Sequence, residues 1–463
     1  MTLLEQGTAP APLVPTDETW EGGGLKSTFT RGEGVGGSSN YWHGGLITLD
    51  RSDVEGAFSG GSKFPISYEE LNRYYARALA LMTDGEITLA DLQPRTSREA
   101  PLPLDETHFE LKPLVFPSIP FSTRPMLERA ESEHGLEIVL FQVERLVFAN
   151  SGVAAAAEGI DLRTGSRRQI AADLFVVCAG GIGSPKILLR TVSAAPTLAR
   201  LPIGRNLIDH PTGFVFKARL RRRVNLKSMF GARCGRSGRF RRRWGIKLRP
   251  EHLGVSAERN HVLYLRPAFS MRNPRDYNAL KNKLVGYRGR SVSLWDKLRL
   301  LRYFDLLVEA VNFRWGLVSS VSHVAGFVFA EQLPDSTDRI SLRSDGNYAV
   351  HWTIRPDDET SLRQFLTAFF ERHAESFRDY VFFPGLLDSG AHHSGACRMA
   401  DNPADGVVDE GFRVFGTQNV FVADASVLAF HGHANTGLTI AAMALRCCDV
   451  LRADADHHAP RAT

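Results

Sequence analysis

The sequence reads as an α/β protein of two domains, and three observations predict it. At 463 residues the chain is too long for one simple core. From about Glu137, the segments IVLFQVERLVFA, AAAAEGIDL and RQIAADLFVVCAG lead to a helix at Ser184 to Leu189, the pattern of a sheet followed by a βα unit. From Gly411 onward the order is strand, loop, helix: NVFVADASV, then LAFHGHAN, then TGLTIAAMALRCCDVLRA.

The remaining elements follow from local signals. Thr2, Leu3 and Leu4 read as the end of a strand that Glu5 and Gly7 close. A glycine-dense loop, GEGVGGSSNYW, spans Gly32 to Trp42. Ser67, with Glu70 three residues on, marks a capping box and a helix from about Tyr68 to Met82. Proline-rich connections occupy Pro101 to Pro125. The pattern weakens after IGRNLIDHP, recovers at HVAGFVFAEQ, RISLRS and AVHWTI, and turns helical from Asp358 to Phe377.

Composition narrows the function classes. Hydrophobic residues at 43% and charged residues at 23% are globular averages and argue against disorder or a fibrous repeat. No run of eighteen apolar residues and no export leader are evident, which points to the cytoplasm. The five cysteines are odd in number and include the adjacent Cys447 and Cys448, so a disulfide framework is not expected. They lack zinc-site spacing, and no metal is predicted.

Charge is uneven. Lys217 to Arg249 holds Arg221, Arg222, Arg223, Arg241, Arg242 and Arg243 and no acidic residue. Its bland reading is a solvated insertion at 217–249. The sharper readings are an anionic substrate or a peripheral membrane contact, the latter aided by the amphipathic stretch Ser293 to Val311. Nucleic acid is disfavoured because no stacking platform or recognition motif accompanies the arginines.

Chemistry concentrates near the C-terminus, where HHSGACRM, GVVDEGFRVFG, NVFVADASVLAF and HANTGLTIAAMALR follow in order. Together they resemble the C-terminal region of the glucose-methanol-choline (GMC) oxidoreductases, with His392, Gly395, Asp409, Asp424, Ser426 and Asn435 at the motif positions. GEGVGGSSNYW, FPISYEELNRYY, FVVCAGGIGSPKILL and IGRNLIDHP resemble further segments of the same family, while Lys217 to Leu317 has no match. The resemblance implies a Rossmann-like FAD-binding domain, its first βα unit missing, and an α+β substrate domain built on an antiparallel sheet. The flavin domain would comprise 1–62, 136–213 and 389–463, and the substrate domain 63–135 and 214–388.

The implied reaction is oxidation of the CH–OH group of an alcohol, sugar or polyol, with hydride passing to FAD. The partners would be a small-molecule alcohol or sugar and an electron acceptor that the sequence does not identify. A base must take the hydroxyl proton while hydride leaves the same carbon, and neutral histidine titrates in the right range. His392 is the candidate base and Asn435 the second hydrogen-bonding group. His393 is the rival to His392, and Asn435 taken alone reads as a helix N-cap, a local role compatible with catalysis. His431 and His433 read as shaping residues, and His210 as structural. The resemblance places Glu5, Gly36, Gly37, Ser38, Asn40, Trp42, Val143, Ala179, Gly180, Asp424, Ala425, Asn435 and Thr436 against FAD. Some sugar-oxidising members carry a flavin-linked histidine where this chain has Tyr41, so the FAD is expected to be non-covalent.

The chain departs from the family at its start. Members open with a strand, a G-x-G-x-x-G turn and a helix, the glycines roughly 20 to 30 residues before an acid that binds the ribose. Glu5 matches that acid, so the fingerprint would precede Met1. Weak FAD binding and low stability are therefore expected of the chain as it stands. Between a start upstream of Met1 and an inactive truncated remnant, the intact C-terminal cluster favours the first. A non-redox lyase that keeps its flavin is the alternative within the fold.

Overall fold

The computed structural model describes residues 1–22, 31–56, 64–95, 102–150, 152–227, 229–273, 320–383 and 385–458, with positions 295, 298 and 304. The amphipathic stretch Ser293 to Val311 falls almost wholly outside them.

Short parallel pairings and one large antiparallel sheet organise the chain. Two of the parallel pairs are β1 (Thr2–Glu5) beside β6 (Glu137–Asn150), and β9 (Phe175–Val177) beside β19 (Val420–Val422). β6 continues antiparallel into β7 (Val153–Asp161) and β8 (Arg167–Ala171). The short strands β2 (Ala11–Pro12) and β4 (Gly32–Glu33) pair with each other. β3 (Glu18–Glu21) joins β15 (Arg339–Leu342) and β16 (Tyr348–His351) in a three-stranded sheet.

The large sheet runs β11 (Phe230–Cys234), β12 (Phe240–Leu248), β13 (Val262–Ala268), β14 (Ser320–Phe329), β10 (Pro211–Asn225) and β17 (Phe377–Phe382). β5 (Phe109–Pro117) pairs with β12, and β18 (Asp388–Ser389) with β10. Strand alternation splits its side chains between two cores. On β13, Leu263 and Leu265 face one cluster with Phe216 and Trp244, while Val262 and Tyr264 face the other. The first face is covered by α5 (Pro356–Arg372), whose Leu362, Phe365, Leu366, Phe369 and Phe370 are buried at helical spacing. Phe109 meets Phe369 edge-on at 6.0 Å.

This sheet corrects one expectation. The basic run 217–249 is not a solvated insertion, since it supplies most of β10 and all of β11 and β12. Phe216, Ala218 and Leu220 point inward while Arg219, Arg221, Arg222 and Arg223 are exposed. The arginines thus decorate the outer face and end of a core strand. Lys217 and Lys247 are themselves buried, and Lys247 is held between Glu110 at 2.9 Å and Asp50 at 3.1 Å.

The helices include α1 (Arg51–Glu55), α2 (Tyr68–Thr83), α3 (Arg124–His134), α4 (Gly180–Thr191) and α6 (Thr436–His458). Ser67 accepts from the Glu70 amide, as the capping box predicts. α4 is longer than the predicted Ser184 to Leu189. The predicted helix to Phe377 ends at Arg372, and Phe377 instead begins β17. α2 buries Leu71, Tyr75, Ala78 and Leu79 beside Leu438, Ala442 and Met443 of α6. The Tyr75 hydroxyl meets Thr439 Oγ1 at 2.7 Å. Burial of a large apolar side chain contributes roughly 1.5–3 kcal/mol, so this seam anchors the first turns of α6.

Candidate active site

Two loops bring the C-terminal polar residues together. Residues 389–394 run antiparallel to 208–211, with Ile208 and Ser394 exchanging backbone hydrogen bonds at 3.0 Å in each direction. Gly395 then turns at φ +86°, and a Cβ there would lie 2.3 Å from the Asn206 carbonyl oxygen, so only glycine fits. The second loop, 430–435, leads directly into α6.

His392 lies where these loops meet. Its Nε2 is 3.1 Å from Asn435 Nδ2, and its Nδ1 is 2.9 Å from Nδ1 of His210. Phe329, the last residue of β14, lies nearly parallel to the imidazole at 5.9 Å between centroids. Burial pushes the His392 ring down to about 4, although Asp209 pulls the other way and His393 and His43 reinforce the fall. At neutral pH His392 is therefore an uncharged base.

Asp209 holds this arrangement. One carboxylate oxygen accepts the amides of His210 at 2.7 Å and His392 at 2.8 Å. The other accepts the Ser389 hydroxyl and lies 3.1 Å from His393 Nδ1. Burial alone would raise this carboxyl, but His393, His392 and Ser389 outweigh it and hold it well below the usual range. His393 thus sits on a carboxylate, whereas His392 faces Asn435. Neither Asp209 nor Phe329 was singled out from sequence. The signal for Asp209 was its place beside His210 in NLIDHP, while Phe329 had none.

The predicted cofactor residues fall into two groups. Glu5, Ala179, Gly180, Asp424 and Ala425 lie at or just past the carboxyl ends of parallel strands β1, β9 and β19, and Val143 lies three residues beyond the partner of Glu5 on β6. Ligands of open α/β sheets bind at such ends. Glu5 accepts the Gly7 and Gly34 amides at 2.9 and 3.1 Å, tying β1 to the glycine-rich loop. Asp424 accepts Gly180 N at 2.9 Å, the Ser184 hydroxyl, and Ser426 N and Oγ at 2.8 and 2.6 Å. Its carboxylate is occupied in clamping the start of α4.

The second group is the glycine-rich loop against α6. Gly36 and Gly37 have positive φ. Ser38 accepts the Gly32 amide, and Asn40 bonds Val35 O, Gly37 O and the Ser122 hydroxyl. Trp42 lies against Gly437, where a Cβ would fall 2.2 Å from the indole, so the loop reaches the turn begun by Thr436. Asn435 does not cap that helix through its side chain. Its Oδ1 is buried without a hydrogen-bond partner, as are both ring nitrogens of His431. Such atoms cost about 1–3 kcal/mol each unless a ligand satisfies them. Together with the free amides of a helix start, they fit a ligand with a polar, electron-accepting edge.

A separate buried network lies behind this loop. Asp50, Asp53 and His433 offer ligand atoms within 4.8 Å of one another. Asp50 accepts from Lys112 at 2.5 Å and pairs with Lys247 at 3.1 Å, so a divalent ion would meet two ammonium groups there.

Two sequence models of one family, both described as GMC oxidoreductase, match residues 122–212 and 334–444. The chain belongs to the GMC oxidoreductase family. Members bind FAD, and the mixed α/β fold found here is theirs. The chain is 26% identical over 315 residues to 2-methyl-1,2-propanediol dehydrogenase of Mycolicibacterium austroafricanum, covering 66% of this chain and 52% of that one. It is 39% identical over 137 residues to paromamine 6'-oxidase of Streptomyces fradiae, covering 26% and 24%. It is 22% identical over 482 residues to the fructose dehydrogenase large subunit of Gluconobacter japonicus, covering 91% and 81%. The chain thus spans about half or less of the first two relatives. Among solved structures, a formate oxidase aligns with TM-score 0.55 at 12% identity, covering 92% of this chain and 85% of that one. Pyridoxine 4-oxidase aligns with TM-score 0.51 at 15% identity, covering 93% and 85%. Among the described residues, no helix is long and apolar enough to cross a membrane.

Proposed function

We propose that this GMC oxidoreductase oxidises a CH–OH group of a small alcohol, sugar or polyol to a carbonyl, with His392 as base and Asn435 as the group that positions the hydroxyl. The observation that carries the reading is the His392 Nε2 to Asn435 Nδ2 pair, 3.1 Å apart at the head of α6. A substrate hydroxyl that meets both, in place of their direct contact, donates to the uncharged imidazole and accepts from the amide, which fixes its orientation. As the proton arrives, the imidazolium gains the nearby Asp209 carboxylate as counter-charge. Phe329 walls the ring and excludes water from it. Bound FAD supplies the two-electron acceptor for the hydride.

Glu5, Gly36, Gly37, Ser38, Asn40, Trp42, Val143, Ala179, Gly180, Asp424, Ala425, Asn435 and Thr436 are the residues proposed to hold FAD, several of them through their backbone. With Tyr41 in the loop, the attachment is proposed to be dissociable. The relatives that carry dehydrogenase and oxidase names support the reaction class.

The test is anaerobic mixing of the FAD-loaded protein with a panel of diols, sugars and aminoglycosides while flavin absorbance is followed. Bleaching by at least one alcohol is the expected result. A bound flavin that stays oxidised with every alcohol, while a substrate is turned over, would favour a lyase instead.

A further inference from the structure

His210 occupies a position that the proposed proton transfer does not by itself require. It is fully buried, and its ring makes two polar contacts: Nε2 to the Gly432 carbonyl oxygen at 2.8 Å, and Nδ1 to His392 Nδ1 at 2.9 Å. A carbonyl oxygen can only accept, so His210 Nε2 carries a hydrogen. The neutral ring then has a bare Nδ1, which must accept. Its partner, His392 Nδ1, must therefore donate. That leaves the lone pair of neutral His392 on Nε2, the atom that faces Asn435 Nδ2.

From this chain of contacts we propose that His210 is a positioning residue that locks His392 in the tautomer with a bare Nε2, the Gly432 carbonyl setting the direction of the whole relay. The proposal rests on the reading of His392 as the base and adds to it the group that makes Nε2, and not Nδ1, the proton acceptor.

The surroundings leave His210 little freedom. Its ring lies 3.8 Å from that of His431 between centroids, with 40° between their planes, and 6.1 Å from Phe329 at 87°. Burial, with His431 and His392 nearby, holds its pKa well below the usual histidine value, so it stays neutral. The far end is fixed as well. Gly432 has φ +52°, and a Cβ there would lie 2.6 Å from Asp53 Oδ2, so the residue presenting the carbonyl must be glycine.

The relay also ends there. His210 Nδ1 could take the proton of His392 Nδ1 only by becoming an imidazolium, which its burial and the neighbouring His431 oppose, so the charge gained at His392 Nε2 stays on His392. His392 becomes an imidazolium that donates at both nitrogens, with His210 Nδ1 still accepting at one of them. The other groups acting on its charge are the carboxylate of Asp209 and the rings of His393, His431 and His43. A neutral acceptor behind the base leaves it more acidic than a carboxylate would.

The test uses the full chain labelled with [15N]histidine, with His392 resonances assigned by their loss in His392→Gln. At pH 7 the wild type should show a bare Nε2 and a protonated Nδ1 for His392. In His210→Ala both tautomers should be populated, and flavin reduction by alcohol should slow about 10- to 100-fold with FAD still bound. His210→Asn, which returns an oxygen near the Nδ1 position, should recover most of the rate. His210→Asp, which places a carboxylate there, should move the acidic limb of the pH profile upward. A bare Nδ1 on His392 in the wild type, or an unchanged tautomer and pH profile in His210→Ala, would overturn the proposal. Because the nitrogen shifts are read without substrate, a protein that no alcohol bleaches would contradict the redox reading and leave the relay to be judged on its own spectrum.

Discussion

Replacing Asp209 by asparagine separates charge from shape at the centre of the site. The carboxylate accepts four hydrogen bonds, from two backbone amides, the Ser389 hydroxyl and the His393 ring. In Asp209→Asn the amide oxygen keeps both backbone donors. The Ser389 hydroxyl and the His393 ring must then turn to accept from the new NH2. Hydrogen bonds to charged groups contribute about 1.5–3 kcal/mol and neutral ones about 0.5–1.5. The loss, shared over a coupled set, should therefore be about 2–4 kcal/mol at pH 7. Asp209→Ala leaves the two amides without an acceptor and should lose at least about 2 kcal/mol more.

The pH dependence has a definite sign. A carboxyl depressed in the fold contributes stability that is present above its unfolded value and is lost as pH falls through the folded one. The deficit of Asp209→Asn should therefore narrow as pH drops below the ordinary aspartate range. Loss of the anion also lets the His392 pKa fall below about 4, which moves the acidic limb of flavin reduction to lower pH. Urea unfolding followed by tryptophan fluorescence at pH 7 and near pH 3.5 measures the first effect. An unchanged midpoint at pH 7, or a deficit equal at both pH values, would refute the reasoning.

Three further outcomes are expected. Burial and the nearby Asp53 raise the Glu331 carboxyl in the fold, so stability should decline as pH rises above the ordinary glutamate range. Glu331→Gln should flatten that decline, which amounts to at most about 1.4 kcal/mol per pH unit in urea titrations from pH 5 to 9. Leu438→Ala, at the fully buried seam between α2 and α6, should lower stability by about 2–5 kcal/mol in the same assay. Denaturing the FAD-loaded protein should release the flavin to the supernatant, and a yellow pellet would contradict dissociable attachment.

Local signals carried much of the fold. Ser67 and Glu70 announced α2, and the period-two alternation after Glu137 announced β6 and β7. The basic strands were harder to read because most of their exposed positions are arginine. In KARLRRRV the run of cations hides the inward Ala218 and Leu220, and pairing with β14 and β17 supplies what propensity does not. For the site, the His392 and Asn435 motifs stood out as residues. Their meeting, and the contact of His392 with His210 across 182 positions, depends on strand register that spacing along the chain does not encode. Phe329 entered through the same long-range pairing.

The central claim is that His392 removes the hydroxyl proton as hydride leaves the alcohol, and the rate of anaerobic flavin reduction in His392→Gln tests it most directly. With FAD bound as in the wild type, that rate should fall by about two to four orders of magnitude. A variant that reduces its flavin at nearly the wild-type rate would contradict the account.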